Sequence, residues 1–341
     1  MHRWITKGFI TGLWGPLVLI WIVISLLYYQ GTRPASQDSR SITFEVQPGM
    51  TLKQVTLELF NQRLILSPSA FQAIAYIQDK EKQIMVGEFS LSPSMLPTEI
   101  ILRLTSGKTI LYPLTIPEGY RITEIASLLD TQGLASSEVF ILQTQDKDLI
   151  KSMDIPTDSL EGYLFPETYY LSKLTPEKKI VQKMVNTFKE KVLKSQLLKS
   201  TKESPLSLHE IITLASLIEK ETGLDSERKL ISSVFHNRLR KNMRLQTDPT
   251  VIYAIEKFDG NIRKRDLKID SPYNTYRYKG LPPGPISSPG IKSIEAAISP
   301  IKSNHLYFVS RQDGSHHFSS TLVEHNQAVK KYQLRKVNSR R

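Results

Sequence analysis

The chain has 341 residues, 40% of them hydrophobic, and a formal net charge of +12; that length allows two domains, each with a core. The absence of cysteine excludes disulfides and thiolate metal sites. With no zinc-finger or RNP-type signature, the positive charge fits an anionic membrane surface or an acidic polymer, not nucleic acid.

The first element is an uncharged run of 21 residues, Phe9 to Tyr29, long enough to cross a bilayer. It exceeds the apolar core of a cleaved signal peptide. Arg3 and Lys7 precede it, which predicts a cytoplasmic N-terminus (residues 1–8), a transmembrane anchor over 9–29 and an extracytoplasmic body. Trp4, Trp14, Tyr28 and Tyr29 supply interfacial anchors. Residues 30–41 are polar and turn-rich and read as a linker.

Thr43 to Val46 alternates like a strand and runs into Pro48-Gly49. Thr51 opens a short amphipathic helix with Leu52, Val55 and Leu59, and Ser67 another with Phe71, Ile74 and Ile77. Glu88 to Leu91 reads as a strand. Pro97-Thr98 opens a helix with Ile100, Ile101 and Leu104, stopped by Gly107, and Ile110 to Ile116 is a further strand. Gly49, Leu52, Val55, Leu59 and Leu64 recur as Gly119, Ile122, Ile125, Leu129 and Leu134, each 70 residues on. A strand, a glycine turn and a short helix are therefore used twice.

Residues 142–204 are lysine-rich and mostly helical, except for the aromatic Leu160 to Leu171, which reads as a loop or short strand returning to the core. Ser207-Leu-His-Glu210 is a capping-box pattern and Gly223 a helix stop. Between them Leu208, Ile211, Ile212, Ala215, Ile218 and Glu219 fall on one side at roughly 100° per residue. Glu210 and Glu221 fall on another, toward water or a cleft edge. A carboxylate in an apolar stripe costs free energy unless it is paired, hydrogen-bonded or protonated. Glu219 is thus either a structural carboxylate paired with Arg228, Arg238 or Arg244, or a general acid keeping its proton near neutral pH.

Ser226 is placed to cap a helix carrying Leu230, Ile231, Val234, Phe235 and Leu239. Asp248-Pro249 reads as an N-cap followed by proline at the first helical position. Residues 271–290 form a Pro/Gly-rich aromatic loop, and Ser288-Pro289 starts a helix through Ala297. His305 to Val309 and His316 to Ser319 read as strands, and Thr321 opens a C-terminal helix before a basic tail at 336–341.

Long loops in compact domains are usually functional. Tyr273, Asn274, Thr275 and Tyr276 combine aromatic faces with short polar groups, which suits sugar rings. Gln246, Thr247 and Asp248 lie at a helix start, where free backbone N–H groups converge. Capping and turn packing would explain the same residues. His316, His317 and His325 form no His-Glu-x-x-His motif, and neither a Gly-x-Ser-x-Gly elbow nor a phosphate-binding loop is present. No metal and no cofactor are expected.

Several motifs in order carry a resemblance: Leu217-Ile-Glu219-Lys-Glu221-Thr222, Val234-Phe-His-Asn-Arg-Leu239, Met243-Arg-Leu-Gln-Thr-Asp-Pro-Thr-Val-Ile-Tyr253, Tyr273-Asn-Thr-Tyr276, Gly280-Leu-Pro-Pro-Gly284 and Leu306-Tyr-Phe-Val309. Pro117-Glu-Gly119 and Glu161 to Thr168 belong with them. Together they resemble the YceG-like family of membrane-anchored endolytic murein transglycosylases. The resemblance implies an α+β fold with a single transmembrane helix, a small LysM-like βααβ subdomain over 42–112 and a larger mixed α+β catalytic domain over 113–335. It implies a bacterial inner-membrane location, cleavage of nascent peptidoglycan glycan strands, and peptidoglycan synthases as partners. By motif, Glu219 takes the catalytic position, as acid and then base, with 1,6-anhydro ends as product. Glu167, Glu221, Gln246, Thr247, Asp248 and Tyr273 to Tyr276 are the expected substrate-binding residues. Glu167, Glu221 and Asp248 leave room for a second carboxylate, and so for a hydrolysing muramidase. A non-catalytic wall-binding scaffold is the other alternative.

Overall fold

Helix α1 (Ile5–Thr32) opens the computed structural model, whose described residues are 5–194 and 204–334. Its segment Gly15–Thr32, of mean hydropathy 1.5, is almost wholly exposed, so α1 is long and apolar enough to cross a membrane. Leu17, Trp21 and Ile24 present apolar surface outward. Arg3, Trp4 and the basic tail at 336–341 lie outside the described residues.

The chain forms two compact units, one of residues up to Tyr112 with Tyr170–Thr175, the other of Pro113–Tyr169 with residues from Pro176 onward. In the first, β1 (Ile42–Val46) pairs antiparallel with β2 (Gly87–Leu91), with Ile42 opposite Leu91 and Val46 opposite Gly87. Alternation along β1 sends Phe44 and Val46 inward. They meet Val55 and Leu59 of α2 (Leu52–Asn61), Phe71 of α3 (Pro68–Ile77), and Ile100 and Leu104 of α4 (Pro97–Thr105). Thr51 and Gln54 close a capping box on α2.

The second unit contains α5 (Ile122–Thr131), α6 (Ser137–Thr144), α7 (Lys147–Ser152) and α8 (Glu177–Phe188). The strands β3 (Tyr112–Thr115) and β4 (Thr168–Leu171) pair as a two-stranded sheet, with Thr115 and Thr168 hydroxyls 2.9 Å apart. The 70-residue echo is a repeated turn–helix–turn. Helices α2 and α5 are each ten residues long. Each follows a glycine at positive φ, Gly49 at 83° and Gly119 at 78°, and precedes a left-handed residue, Arg63 or Gly133. The N–H of Leu64 returns to Leu59, and that of Leu134 to Leu129.

At the centre of this unit is α9 (Leu208–Glu221), capped by Ser207 and Glu210 and buried continuously from Ile211 to Ile218. It packs against α12 (Ile291–Ile298), α10 (Asp225–Arg240) and α11 (Asp248–Ala254). A hairpin of β5 (Tyr307–Ser310) and β6 (His316–Ser319), with Tyr307 opposite Ser319, is covered by α13 (Leu322–Val329). The whole is a mixed α+β fold.

Four helix boundaries differ from the sequence reading. Helix α9 ends because Thr222 turns extended (φ −146°, ψ 140°), so Gly223 is not the stop. Ser226 lies inside the first turn of α10, whose N-cap position is Leu224. Thr247, not Asp248, is the N-cap position of α11, so Asp248 and Pro249 occupy its first two helical positions. Gly290, not Ser288, precedes α12. At the last two a distant segment meets the N-cap N–H: Glu219 accepts from Gly290 and Thr275 Oγ1 from Thr247.

Candidate active site

The last turn of α9 carries two carboxylates with opposite surroundings. Glu219 continues the apolar stripe, and its side chain is 7% exposed. It is not left unpaired there. Arg228 Nη1 donates to Oε1 at 3.0 Å, and the Gly290 N–H donates to Oε2 at 2.9 Å. Arg228 also binds Asp225 at 3.1 Å and lies 3.8 Å from Glu118, while Lys292 pairs with Asp225. Of the two readings of Glu219, the first, pairing with Arg228, describes its geometry. A buried guanidinium with a fork of donors satisfies the carboxylate that the stripe would otherwise strand. Burial raises the Glu118 carboxyl above the ordinary range, and the charge of Glu219 adds to this. Gly290 has no room for a side chain, because a Cβ there would run into the Glu118 carboxyl.

Glu221 faces the other way. Its carboxyl accepts from the Thr247 hydroxyl and lines a cavity of about 520 Å³. Burial pushes it up to about 7; the Thr247 hydrogen bond opposes the shift, nearby Asp248 adds to it, and His316 and Arg238 oppose it. Arg238, Asp248, Tyr276, Tyr307 and His316 also line this cavity. Arg238 is buried and held by carbonyls: Nε donates to Leu306 O at 2.6 Å and Nη1 to Leu245 O at 2.7 Å. Its guanidinium lies over the Tyr307 ring, 5.2 Å from the centroid. The Tyr276 hydroxyl donates to Asp248 Oδ1 at 2.5 Å. Aromatic faces, fixed polar groups and a carboxyl titrating near neutrality are what a sugar-cleaving pocket requires.

The structure sorts the other expected residues. Gln246 lines the cavity at a left-handed φ of 51°. Thr247 is buried and reaches it only through Glu221. Asn274 and Thr275 do not reach it, because their polar groups are spent on the loop itself. Asn274 Nδ2 donates to Leu267 O and Ile269 O, and its Oδ1 accepts from Tyr276 N–H. Thr275 ties to Thr250 and accepts from the Thr247 N–H, docking the loop against the start of α11. Tyr273 packs on Tyr253 with ring centroids 4.7 Å apart, outside the cavity lining. Glu167 also lies outside it, caps the Thr168 N–H and pairs with Lys191 at 3.3 Å. The loop is fixed further along by α9. Ser216 Oγ accepts from Ile286 N–H, and His209 Nε2 donates to Pro283 O while Tyr163 donates to His209 Nδ1.

Arg238, expected only as a possible partner of Glu219, and Tyr307, His316 and His325, which carried no role in the sequence reading, line the cavity. For Arg238 a signal existed. It shares a helical face with Ile231, Val234 and Phe235, all buried, and a charge in such a stripe invites the same question as Glu219.

Residues 44–331 match the YceG-like family. The chain is 36% identical over 320 residues to an endolytic murein transglycosylase of Bacillus subtilis, covering 88% of this chain and 87% of that protein. An endolytic murein transglycosylase of Streptococcus pneumoniae is 29% identical over 335 residues; the match spans 89% of this chain and 60% of that longer protein. The 2.6 Å crystal structure of a yceG-like protein from Listeria monocytogenes aligns with a TM-score of 0.58 and 35% identity, covering 84% of this chain and 98% of that one. With the match running from β1 to the end of α13, this chain belongs to the YceG-like family.

Proposed function

We propose that the chain is a membrane-anchored endolytic lytic transglycosylase. It cleaves the β-1,4 bond between N-acetylmuramic acid and N-acetylglucosamine in peptidoglycan strands and leaves 1,6-anhydro ends. The observation that carries this reading is Glu221, a buried carboxyl raised to about 7 in the wall of an aromatic-lined cavity. The relatives named above are murein transglycosylases, which supports peptidoglycan as the substrate.

Glu221 takes the acid role in place of Glu219. A general acid must hold a proton at working pH and give it up in the transition state. Protonated Glu221 donates to the leaving glycosidic oxygen. The positive charge at the sugar carbon is met by the substrate's acetamido group and cavity dipoles. The C6 hydroxyl of the muramic residue then attacks that carbon and loses its proton to a base in the cavity, closing the anhydro ring. Glu219, committed to Arg228 and Gly290, instead fixes α9 against α10 and α12.

Residues 9–29 serve as the membrane anchor, with 1–8 cytoplasmic, 30–41 a linker and the body outside the bacterial inner membrane. The βααβ unit within 42–112 acts as a LysM-like glycan-binding subdomain, and 113–335 as the catalytic domain with a short basic tail beyond. Peptidoglycan synthases are the protein partners in this scheme.

The test is incubation of the purified protein with uncrosslinked glycan strands, followed by mass analysis in ¹⁸O water. Anhydro ends without label are expected from the wild type and none from Glu221→Gln. Labelled reducing ends would make it a hydrolase, with Asp248 as second carboxylate; binding without cleavage would make it a scaffold.

A further inference from the structure

We propose that His316, held by Glu227, is the base that removes the C6 hydroxyl proton; this rests on the transglycosylase reading above. The imidazole is clamped. Its Nδ1 lies 2.7 Å from Glu227 Oε2, and its backbone N–H donates to Glu227 Oε1 at 2.9 Å. An ionised carboxylate only accepts, so the hydrogen of the neutral ring sits on Nδ1 and the lone pair on Nε2. The ring lines the same cavity as Glu221. Among the described residues Nε2 has no hydrogen-bond partner. Phe308 abuts the ring edge-to-face, with centroids 5.5 Å apart, and fixes its plane.

Glu227 and His316 come from different elements, the first turn of α10 and the start of β6, and both side chains are 11% exposed. A tie between helix and hairpin alone would need only the backbone N–H bond. The second contact, from carboxylate to ring nitrogen, additionally selects a tautomer and aims the other nitrogen. A carboxylate orienting an imidazole in this way is a recurrent arrangement for a general base.

The step balances as follows. Glu221 gives its proton to the glycosidic oxygen as the bond to C1 breaks. The C6 oxygen bonds to C1 and its proton passes to His316 Nε2. The resulting imidazolium returns that proton to the Glu221 carboxylate, directly or through water, and both groups regain their starting state. His316 is near enough that the imidazolium formed in this step stabilises the Glu221 carboxylate until the proton is returned. Among the described residues, Glu227 and Arg238 from α10, Glu221 from α9, Asp248 from α11, Tyr276 from the 271–290 loop, Tyr307 from β5 and His325 from α13 are the titratable or charged groups around this part of the cavity.

The full-length protein in detergent is assayed on uncrosslinked glycan strands by release of anhydro ends. His316→Gln should lose ~10²- to 10³-fold in turnover with its melting temperature within a few degrees of wild type. His316→Ala should regain turnover with added imidazole, increasingly so as pH rises and the free base accumulates. Glu227→Gln should lose about tenfold, since an amide still accepts from Nδ1 but carries no charge to stabilise the imidazolium. Turnover of His316→Gln within fivefold of wild type would make Glu221 both acid and base and overturn the proposal. A folded His316→Ala that imidazole does not rescue would overturn it too, leaving the ring a positioning role. Should both variants unfold, ¹⁵N NMR of the wild type decides: a hydrogen on Nε2 in the neutral ring sinks the idea, and one on Nδ1 sustains it. Failure of the wild type to release anhydro ends removes the transglycosylase reading, and the base with it.

Discussion

Glu219 and Glu221 are two residues apart on one helix and have opposite environments. Glu219 continues the buried stripe of α9 and is met there by Arg228 and the Gly290 N–H. Glu221 sits at the helix end on the cavity wall, half-buried, with the Thr247 hydroxyl as donor and no arginine in contact among the described residues, and burial pushes it up to about 7. Burial alone thus does not make a general acid. The partners differ: Glu219 is paired with a guanidinium, whereas Glu221 has a hydroxyl donor that only partly opposes the rise burial causes.

The sharpest way to break this contrast is to make each carboxylate an amide. Glu221→Gln should lower turnover by ~10³-fold or more while leaving the fold intact, read by anhydro-product release and thermal melting. Glu219→Gln should do the reverse. It leaves Arg228 with Asp225, Glu118 and the Ser293 hydroxyl, and should cost about 2–3 kcal/mol of stability in urea unfolding, with turnover within about tenfold of wild type. If Glu219→Gln abolished turnover and left stability untouched, the two roles would have to be exchanged.

A second contrast is in pH. Glu161 is the other carboxyl that burial raises to about 7, with the Ile122 N–H opposing the shift. In unfolded chain both acids titrate near 4.3. Between about pH 4.5 and 7 the native state therefore holds protons that the unfolded state has released, so stability falls as pH rises through 7. The loss is at most about 4 kcal/mol per group. Melting temperature between pH 5 and 8 should decline, and Glu161→Gln should flatten the decline without removing activity. The same proton limits catalysis, so turnover should drop above about pH 7 as Glu221 ionises.

Smaller effects sharpen the picture. Gly290→Ala should displace Glu118 and cost about 1–2 kcal/mol, measured by urea unfolding. Asp248→Asn removes a charge that raises Glu221. Its alkaline limb of activity should move down by a few tenths of a pH unit, seen in the pH profile of turnover.

Much of this was legible in the chain. The apolar run of α1, the individual strands, the capping box of α9 and the 70-residue echo follow from periodicity and turn chemistry, which are local. The motif around Glu219 and Glu221 pointed to a buried acid on the right turn of the right helix. Periodicity favoured Glu219 because it continues the stripe. It could not weigh the partner, since Arg228 meets Glu219 through the turn into the next helix and Gly290 arrives from 71 residues away. Asn274 and Thr275 were selected for their polar groups, but whether those groups are free depends on Leu267, Ile269, Thr247 and Thr250 folding around them.

The sequence by itself determined most of the helices and strands, that one helix is apolar enough for a membrane, and that a carboxylate would be buried near the end of α9. Only the tertiary structure decided which of Glu219 and Glu221 is neutralised by a guanidinium and which faces the cavity beside His316 and Arg238. The reason is physical. Secondary structure is set by neighbours along the chain, whereas the protonation state of a buried group is set by whatever charge and donors distant segments bring within a few ångströms of it.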